Sequence, residues 1–171
     1  STEYHSVIYT ALETGMRRNE LLGLEWRDID LEAGVIHITK SLKVSKGGKI
    51  GYEEPKTNSA RRSISISLNL IEYLKRQWSI QNLSGQWYGH AVTRSSPVFI
   101  YGGKNDAGKQ ILPSSVTHAF ARIVKNVDLT KVRFHDLRHT HARELFRRNE
   151  HPKDVQLRLG HSKFSITMDL Y

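Results

Sequence analysis

The feature that most limits the fold is a change in hydrophobic period and where along the chain it falls. Helical spacing runs through both ends, and strand-like alternation is confined to one block between them. Residues 4–13 place Val7, Ile8, Ala11 and Leu12 at helical spacing before Thr14-Gly15 interrupts the pattern. A second short helix is predicted over 17–24, with Leu21, Leu22 and Leu24 as its apolar content. Then VIHIT (35–39) and RSISIS (62–67) read as strands, with a weaker candidate around Gly51-Tyr52-Glu53. Gly47-Gly48 and Lys56-Thr57-Asn58-Ser59 supply the turns between them. From Leu68 the helical spacing returns, with Leu70, Ile71, Leu74 and Trp78 inside 69–82. A loop rich in Gly and Ser holds the apolar segment PVFIY (97–101). Helices are predicted beyond it over 114–127, 135–148, 153–159 and 163–171, with Pro113 and Pro152 suited to first turns. The expected fold class is α+β, mainly α: one helical domain with a small antiparallel three-stranded sheet inserted in it.

Composition narrows the chemistry. The 171 residues are one domain's worth of chain, and 38% are apolar, enough to bury a core and to exclude a disordered basic tail. With no cysteine, disulfides, thiolate metal sites, iron–sulfur clusters and cysteine nucleophiles are excluded, which fits a reducing compartment. No apolar run approaches the ~20 residues of a membrane span, and the N-terminus lacks the order of a secretory signal, so a soluble intracellular protein without a membrane partner is expected.

The formal net charge is +9, and it is unevenly placed. Residues 40–62 hold seven basic and two acidic side chains, and residues 121–171 hold eleven and six. The remainder holds eight basic and nine acidic, so the excess lies in two stretches suited to a polyanion.

Within the second stretch, one helix carries a charge on its apolar side. Advancing 100° per residue from His135 groups Leu137, Ala142, Leu145 and Phe146 in one half of the wheel, with Arg138 among them and His135 near the edge. An inward arginine needs an anion or water, because an unpaired buried charge costs several kcal/mol. Two partners are open: an internal carboxylate, Glu20 or Asp136, or a ligand phosphate. His135 and His139, four apart, also share a face, and HDLRH superficially resembles the zinc motif HExxH. Arg138 one turn away argues against a cation there, and Asp136 is shorter than the expected Glu. Arg17 aligns with Leu21 and Leu24, a weak signal, because Arg18 aligns with Leu22 in the same way.

Taken in order, TGMRRNELLGLEWRDID (14–30), PKTNSARRSI (55–64), HDLRHTHA (135–142) and LGHSKFSITMDLY (159–171) closely resemble the catalytic domain of the tyrosine recombinases, the phage integrase family. The resemblance covers nearly the whole chain and rests on four separated motifs. It implies the DNA breaking-rejoining fold and a site made of Arg17, Lys56, His135, Arg138, His161 and Tyr171. Arg17 and Arg138 would bind phosphate, Lys56 would lie on the hairpin turn, His135 and His161 would be the site histidines, and Tyr171 the nucleophile. Glu20 matches an acidic position suited to pairing and orientation. No cofactor or metal is implied. The implied partner is double-stranded DNA, with a homotetramer on DNA for the full-length protein, DNA-bending accessory proteins, and a cytoplasmic, bacterial or phage-encoded setting. Because the first motif arrives by residue 17 and the chain stops at Tyr171, a catalytic-domain fragment lacking the usual N-terminal DNA-binding module is expected.

The chemistry suits these residue types. Attack on a phosphodiester adds charge to its non-bridging oxygens, and two planar guanidinium forks can neutralise and orient them. A phenol with pKa near ~10 needs help to lose its proton, for which His135 is the candidate. The leaving 5′ oxygen needs a proton, for which Lys56 is the candidate acid. A covalent 3′-phosphotyrosine conserves the bond energy, so rejoining needs no ATP. A type IB topoisomerase-like relaxing activity uses the same covalent step, and a DNA-binding regulator that kept only the fold is the alternative outside enzymes.

Overall fold

The computed structural model describes residues 2–54, 61–89, 91–103, 106–127, 129 and 132–168. Its first helix, α1 (Thr2–Thr14), stops at Gly15, whose φ of +64° costs a glycine little. There follow α2 (Arg18–Leu22), a 3-10 turn (Trp26–Asp28), β1 (Ile29–Asp30), β2 (Val35–Ile38), β3 (Ser41–Val44), β4 (Ile50–Glu53) and β5 (Arg62–Ser65). Five helices complete the described chain: α3 (Leu68–Tyr88), α4 (Pro113–Asn126), α5 (Asp136–Arg147), α6 (Pro152–Leu159) and α7 (Phe164–Met168).

The expected three-stranded antiparallel sheet is present, but its membership differs from the sequence expectation. Its order is β1-β2-β5, with Ile36 opposite both Ile29 and Ile64, and all three isoleucines are fully buried. The stretch around Tyr52 lies instead in β4, which among the described residues pairs with β3 as a separate hairpin. The reason is burial. Leu42 alone anchors that hairpin in the core, whereas Ile50 and Tyr52, which share one face of β4, stay exposed, so the apolar face of β4 is turned to solvent and not packed in the main sheet. β1 is two residues long, too short to show alternation in the sequence.

Helix α3 runs beyond the predicted 69–82. Ser67 caps its start by accepting from the Leu70 N–H (3.2 Å), and Gly89 in the left-handed region ends it. The principal core gathers Val7 and Ala11 of α1, Leu21 and Leu22 of α2, the sheet isoleucines, Leu70 and Leu74 of α3, and Val116 and Phe120 of α4. PVFIY contributes Val98 and Phe99, and its backbone is held by Val98 N–H to Leu24 O (3.0 Å) and Ile111 N–H to Phe99 O (3.1 Å). A smaller cluster of Ala142, Val155 and Leu159, backed by Leu145 and Phe146, fixes α6 against α5. Each such side chain contributes roughly 1.5–3 kcal/mol by leaving water. Among the described residues, no helix is long and apolar enough to cross a membrane.

Candidate active site

The site is organised around the last turn of α6. Buried Val155 and Leu159 hold this helix, Pro152 starts it, and Gly160 closes it at φ +67°. A helix C-terminus presents unpaired carbonyls and the negative end of the macrodipole. Here three successive carbonyls each receive a guanidinium from a different part of the chain. Arg62 Nε donates to Arg158 O (2.7 Å), Arg138 Nη2 to Leu159 O (2.5 Å) and Arg17 Nη2 to Gly160 O (2.9 Å).

Glu20 binds two of these arginines together. Its Oε1 and Oε2 accept from Arg62 Nη1 (3.1 Å) and Nη2 (2.9 Å), and it also accepts from Arg17 Nη1 (2.7 Å) and the Arg17 N–H (2.9 Å). Burial works to raise the Glu20 pKa, but the hydrogen bond and charge of Arg62, followed by Arg17, outweigh it and hold the carboxyl below its ordinary value.

Arg138 is 3% exposed, so the inward direction expected from the helical wheel is correct. Neither expected carboxylate binds it. Glu20 is engaged by Arg62 and Arg17, and Asp136 accepts from the Arg133 N–H (2.8 Å) at the start of α5. The two Nη atoms of Arg138 go to backbone carbonyls instead, Leu159 O and Gly15 O (2.7 Å). Burial, then the positive field of Arg17, pushes its pKa down to about 9, which leaves it cationic at neutral pH. The three guanidiniums that grip these carbonyls, less the carboxylate of Glu20, carry a net +2. Arg17 is the accessible member, with 40% of its side chain exposed.

His161 follows Gly160 directly. Its backbone is tied to Gln156 in α6, and its Nδ1 lies 2.9 Å from Thr167 Oγ1 in α7. Burial, then Arg138 and Arg17, pushes its pKa down to about 4, so the ring is neutral at pH 7. His135, at the N-terminus of α5, meets His139 edge to face with ring centroids 5.2 Å apart. Its pKa is also lowered, by burial and then by His139 and Arg138. Among the described residues, no group of three or more His, Asp or Glu is placed to hold a metal ion. The structure thus gathers Arg17, Arg138 and His161 around one turn, while His135 stands at the start of α5, where it feels the charges of Arg138 and Arg17. Lys56 and Tyr171 lie outside the described residues.

Three residues of this site escaped the sequence expectations: Arg62, His141 and Arg158. Arg62 shares the β5 face of Ile64, two residues on, so extending the alternation backwards would have marked it as pointing inward. His141 is buried; its Nε2 accepts from Arg158 Nε (3.0 Å), so its Nδ1–H donates to Leu12 O (2.8 Å). Burial and Arg158 push its pKa down to about 4. Gly15 packs on that ring: a Cβ there would stand 2.6 Å from His141 Cδ2 and 2.8 Å from Leu159 Cδ2.

Comparison with known proteins gives this arrangement a relationship. The sequence matches the profile of the Phage integrase family over residues 1–171. It is 32% identical to a tyrosine recombinase XerC-like protein of Caldanaerobacter subterraneus subsp. tengcongensis, over 94% of this chain and 43% of that protein. It is 31% identical to the ICEBs1 integrase of Bacillus subtilis (strain 168), over 94% of this chain and 42% of that protein. The chain thus spans less than half the length of these relatives. Among solved structures, the fold matches the Tn1549 transposon integrase in complex with a circular intermediate DNA, with a TM-score of 0.81 and 25% identity, over 99% of this chain and 54% of that one. With the profile matched along the whole sequence and both relatives aligned over nearly all of it, the chain belongs to the phage integrase family.

Proposed function

We propose that this chain is the catalytic domain of a site-specific recombinase that cuts and rejoins double-stranded DNA through a 3′-phosphotyrosine at Tyr171. The observation that carries the reading is the convergence of Arg17 and Arg138 on one helix end, beside neutral His161, with a net positive charge fixed in place. A phosphodiester carries one negative charge, and its transition state develops another on the non-bridging oxygens. Preorganised guanidiniums stabilise that second charge more than the first, as transition-state stabilisation requires.

In the proposed step, Tyr171 Oη attacks the scissile phosphorus while its proton passes to His135, whose lowered pKa keeps a ring nitrogen free to accept it. The P–O5′ bond breaks, and the 5′ oxygen leaves with a proton from Lys56. The 3′-phosphotyrosyl bond holds the energy until a 5′ hydroxyl attacks in the reverse sense, which restores the phenol and joins the strand. His161 donates a hydrogen bond to a phosphate oxygen. Relatives solved on DNA, including the XerH site-specific recombinase bound to difH substrate (25% identical, TM-score 0.67, over 98% of this chain and 42% of that one), support a duplex partner. Assembly as a homotetramer on DNA, help from DNA-bending proteins, a cytoplasmic setting and a role in integration or excision of a mobile element belong to the same proposal.

The test is covalent trapping of the full-length protein on a nicked suicide duplex carrying its recombination site. Wild type forms a denaturation-resistant adduct that peptide mapping places on Tyr171, and Tyr171→Phe forms none. Equal adduct from Tyr171→Phe would refute the assignment.

A further inference from the structure

Arg62 stands among the site arginines, yet its donors are turned into the protein. Its side chain is 6% exposed. Two of its nitrogens hold the two oxygens of Glu20, and a third holds Arg158 O. It grows from β5, where it lies opposite Ile38 of β2 in the sheet that carries the fully buried Ile36 and Ile64. The guanidinium lies against Gly160, where an added Cβ would stand 2.8 Å from Arg62 Nη1.

Two routes lead from this guanidinium to the groups proposed to touch phosphate. One passes through Glu20, which accepts from both the backbone N–H and Nη1 of Arg17 and so fixes the direction of that fork. The other passes through Arg158 O and Gly160 into the last turn of α6, which sets the place of His161. We propose that Arg62 is a positioning residue for strand cleavage: by gripping Glu20 and the end of α6 together, it anchors Arg17 and His161 to the sheet. This rests on the strand-cleavage function proposed above. A lysine could not substitute, because a single ammonium cannot match both carboxylate oxygens and a carbonyl in the plane that the guanidinium fork provides.

The experiment uses the full-length protein, a nicked suicide duplex of its own site, and temperatures well below each variant's Tm. Arg62→Lys keeps the charge and removes the fork; Glu20→Gln keeps the shape and removes the charge that links Arg62 to Arg17. Each is expected to lower the maximal trapping rate at saturating protein at least tenfold, with DNA affinity within threefold of wild type. The double variant is expected to be no slower than the slower single variant, because both changes break one linkage. Wild-type rates in folded Arg62→Lys, single effects that multiply in the double variant, or a loss of affinity that accounts for the slower trapping would each overturn the proposal. Failure of the underlying function is distinguishable, since then wild type would form no adduct or Tyr171→Phe would form as much.

Discussion

Residues 40–62 and 121–171 carry excess positive charge of similar size, each mixes exposed cations with held ones, and the β3–β4 hairpin and the end of α6 show the two extremes. In the first stretch, the turn of the β3–β4 hairpin exposes Lys46 and Lys49 on flexible stems, and Lys43 forms only an exposed ion pair with Glu53. In the second, Arg138 is enclosed and Arg158 half-buried, with guanidinium nitrogens engaged by carbonyl oxygens or by His141. The contrast teaches that net charge does not separate a surface that tracks a polyanion from a site that acts on one. What separates them is whether the cation's direction is fixed before a ligand arrives. Arg62 makes the point sharply: it belongs by sequence to the first stretch and by structure to the second.

The contrast should break most visibly at glycines. Gly160→Ala must hold a side chain at φ +67° and force apart its Cβ and the guanidinium of Arg62, which Glu20 clamps. The backbone conformation alone costs about 1–2 kcal/mol, so thermal melting should fall and strand trapping should slow with it. Gly47 in the hairpin has open space where its Cβ would go, and Gly47→Ala should change stability by no more than ~0.5 kcal/mol. Equal costs at the two positions would mean that the site turn is no more constrained than the hairpin.

A separate effect is expected from pH. His141 and His161 have folded pKa values of about 4, below the ordinary value of ~6.5. Below ~6.5 the unfolded chain binds protons that the folded rings refuse. Their contribution to stability is therefore complete above that pH and is lost as pH falls toward about 4. For buried His141 the slope approaches ~1.4 kcal/mol per pH unit. Urea unfolding between pH 7.5 and 4.5 measures it, and stability that stays flat across this range would contradict the buried neutral rings.

The smallest effect belongs to the hairpin. Replacing Lys46 and Lys49 together with Ala should weaken DNA binding a few-fold and lower the salt slope by up to about 2. The maximal trapping rate should stay unchanged. A slower rate at saturating DNA would give these exposed lysines a part in the chemistry.

Much of this was legible in the sequence because period and punctuation survive in a linear string. Val7 and Ala11, or Leu70 and Leu74, announce helices whose buried faces the structure confirms, and the inward turn of Arg138 follows from 3.6 residues per turn. The pairing of β4 with β3 was not legible, because Ile50 and Tyr52 look apolar on paper while only Leu42 is covered in that hairpin. Within the site, order along the chain singled out Arg17, Arg138 and His161, which the structure brings to one helix end, and it named Glu20 as a pairing residue. Its partner could not be read from order alone, since Arg62 lies 42 positions away and meets Glu20 only when β5 pairs with β2. Nor could a sequence reveal that backbone carbonyls, rather than a carboxylate, hold Arg138.

In the proposed function, the cations at the end of α6 serve the transition state more than the grip on DNA. Arg17 is the residue with which to test it, because its side chain is partly exposed and its removal leaves Glu20 with Arg62 as a partner. The decisive measurement is the single-turnover cleavage rate of Arg17→Ala beside its DNA affinity. The expected rate is lower by roughly 10²–10³, with affinity within a few-fold of wild type. A large loss of affinity with an unchanged single-turnover rate would contradict this role.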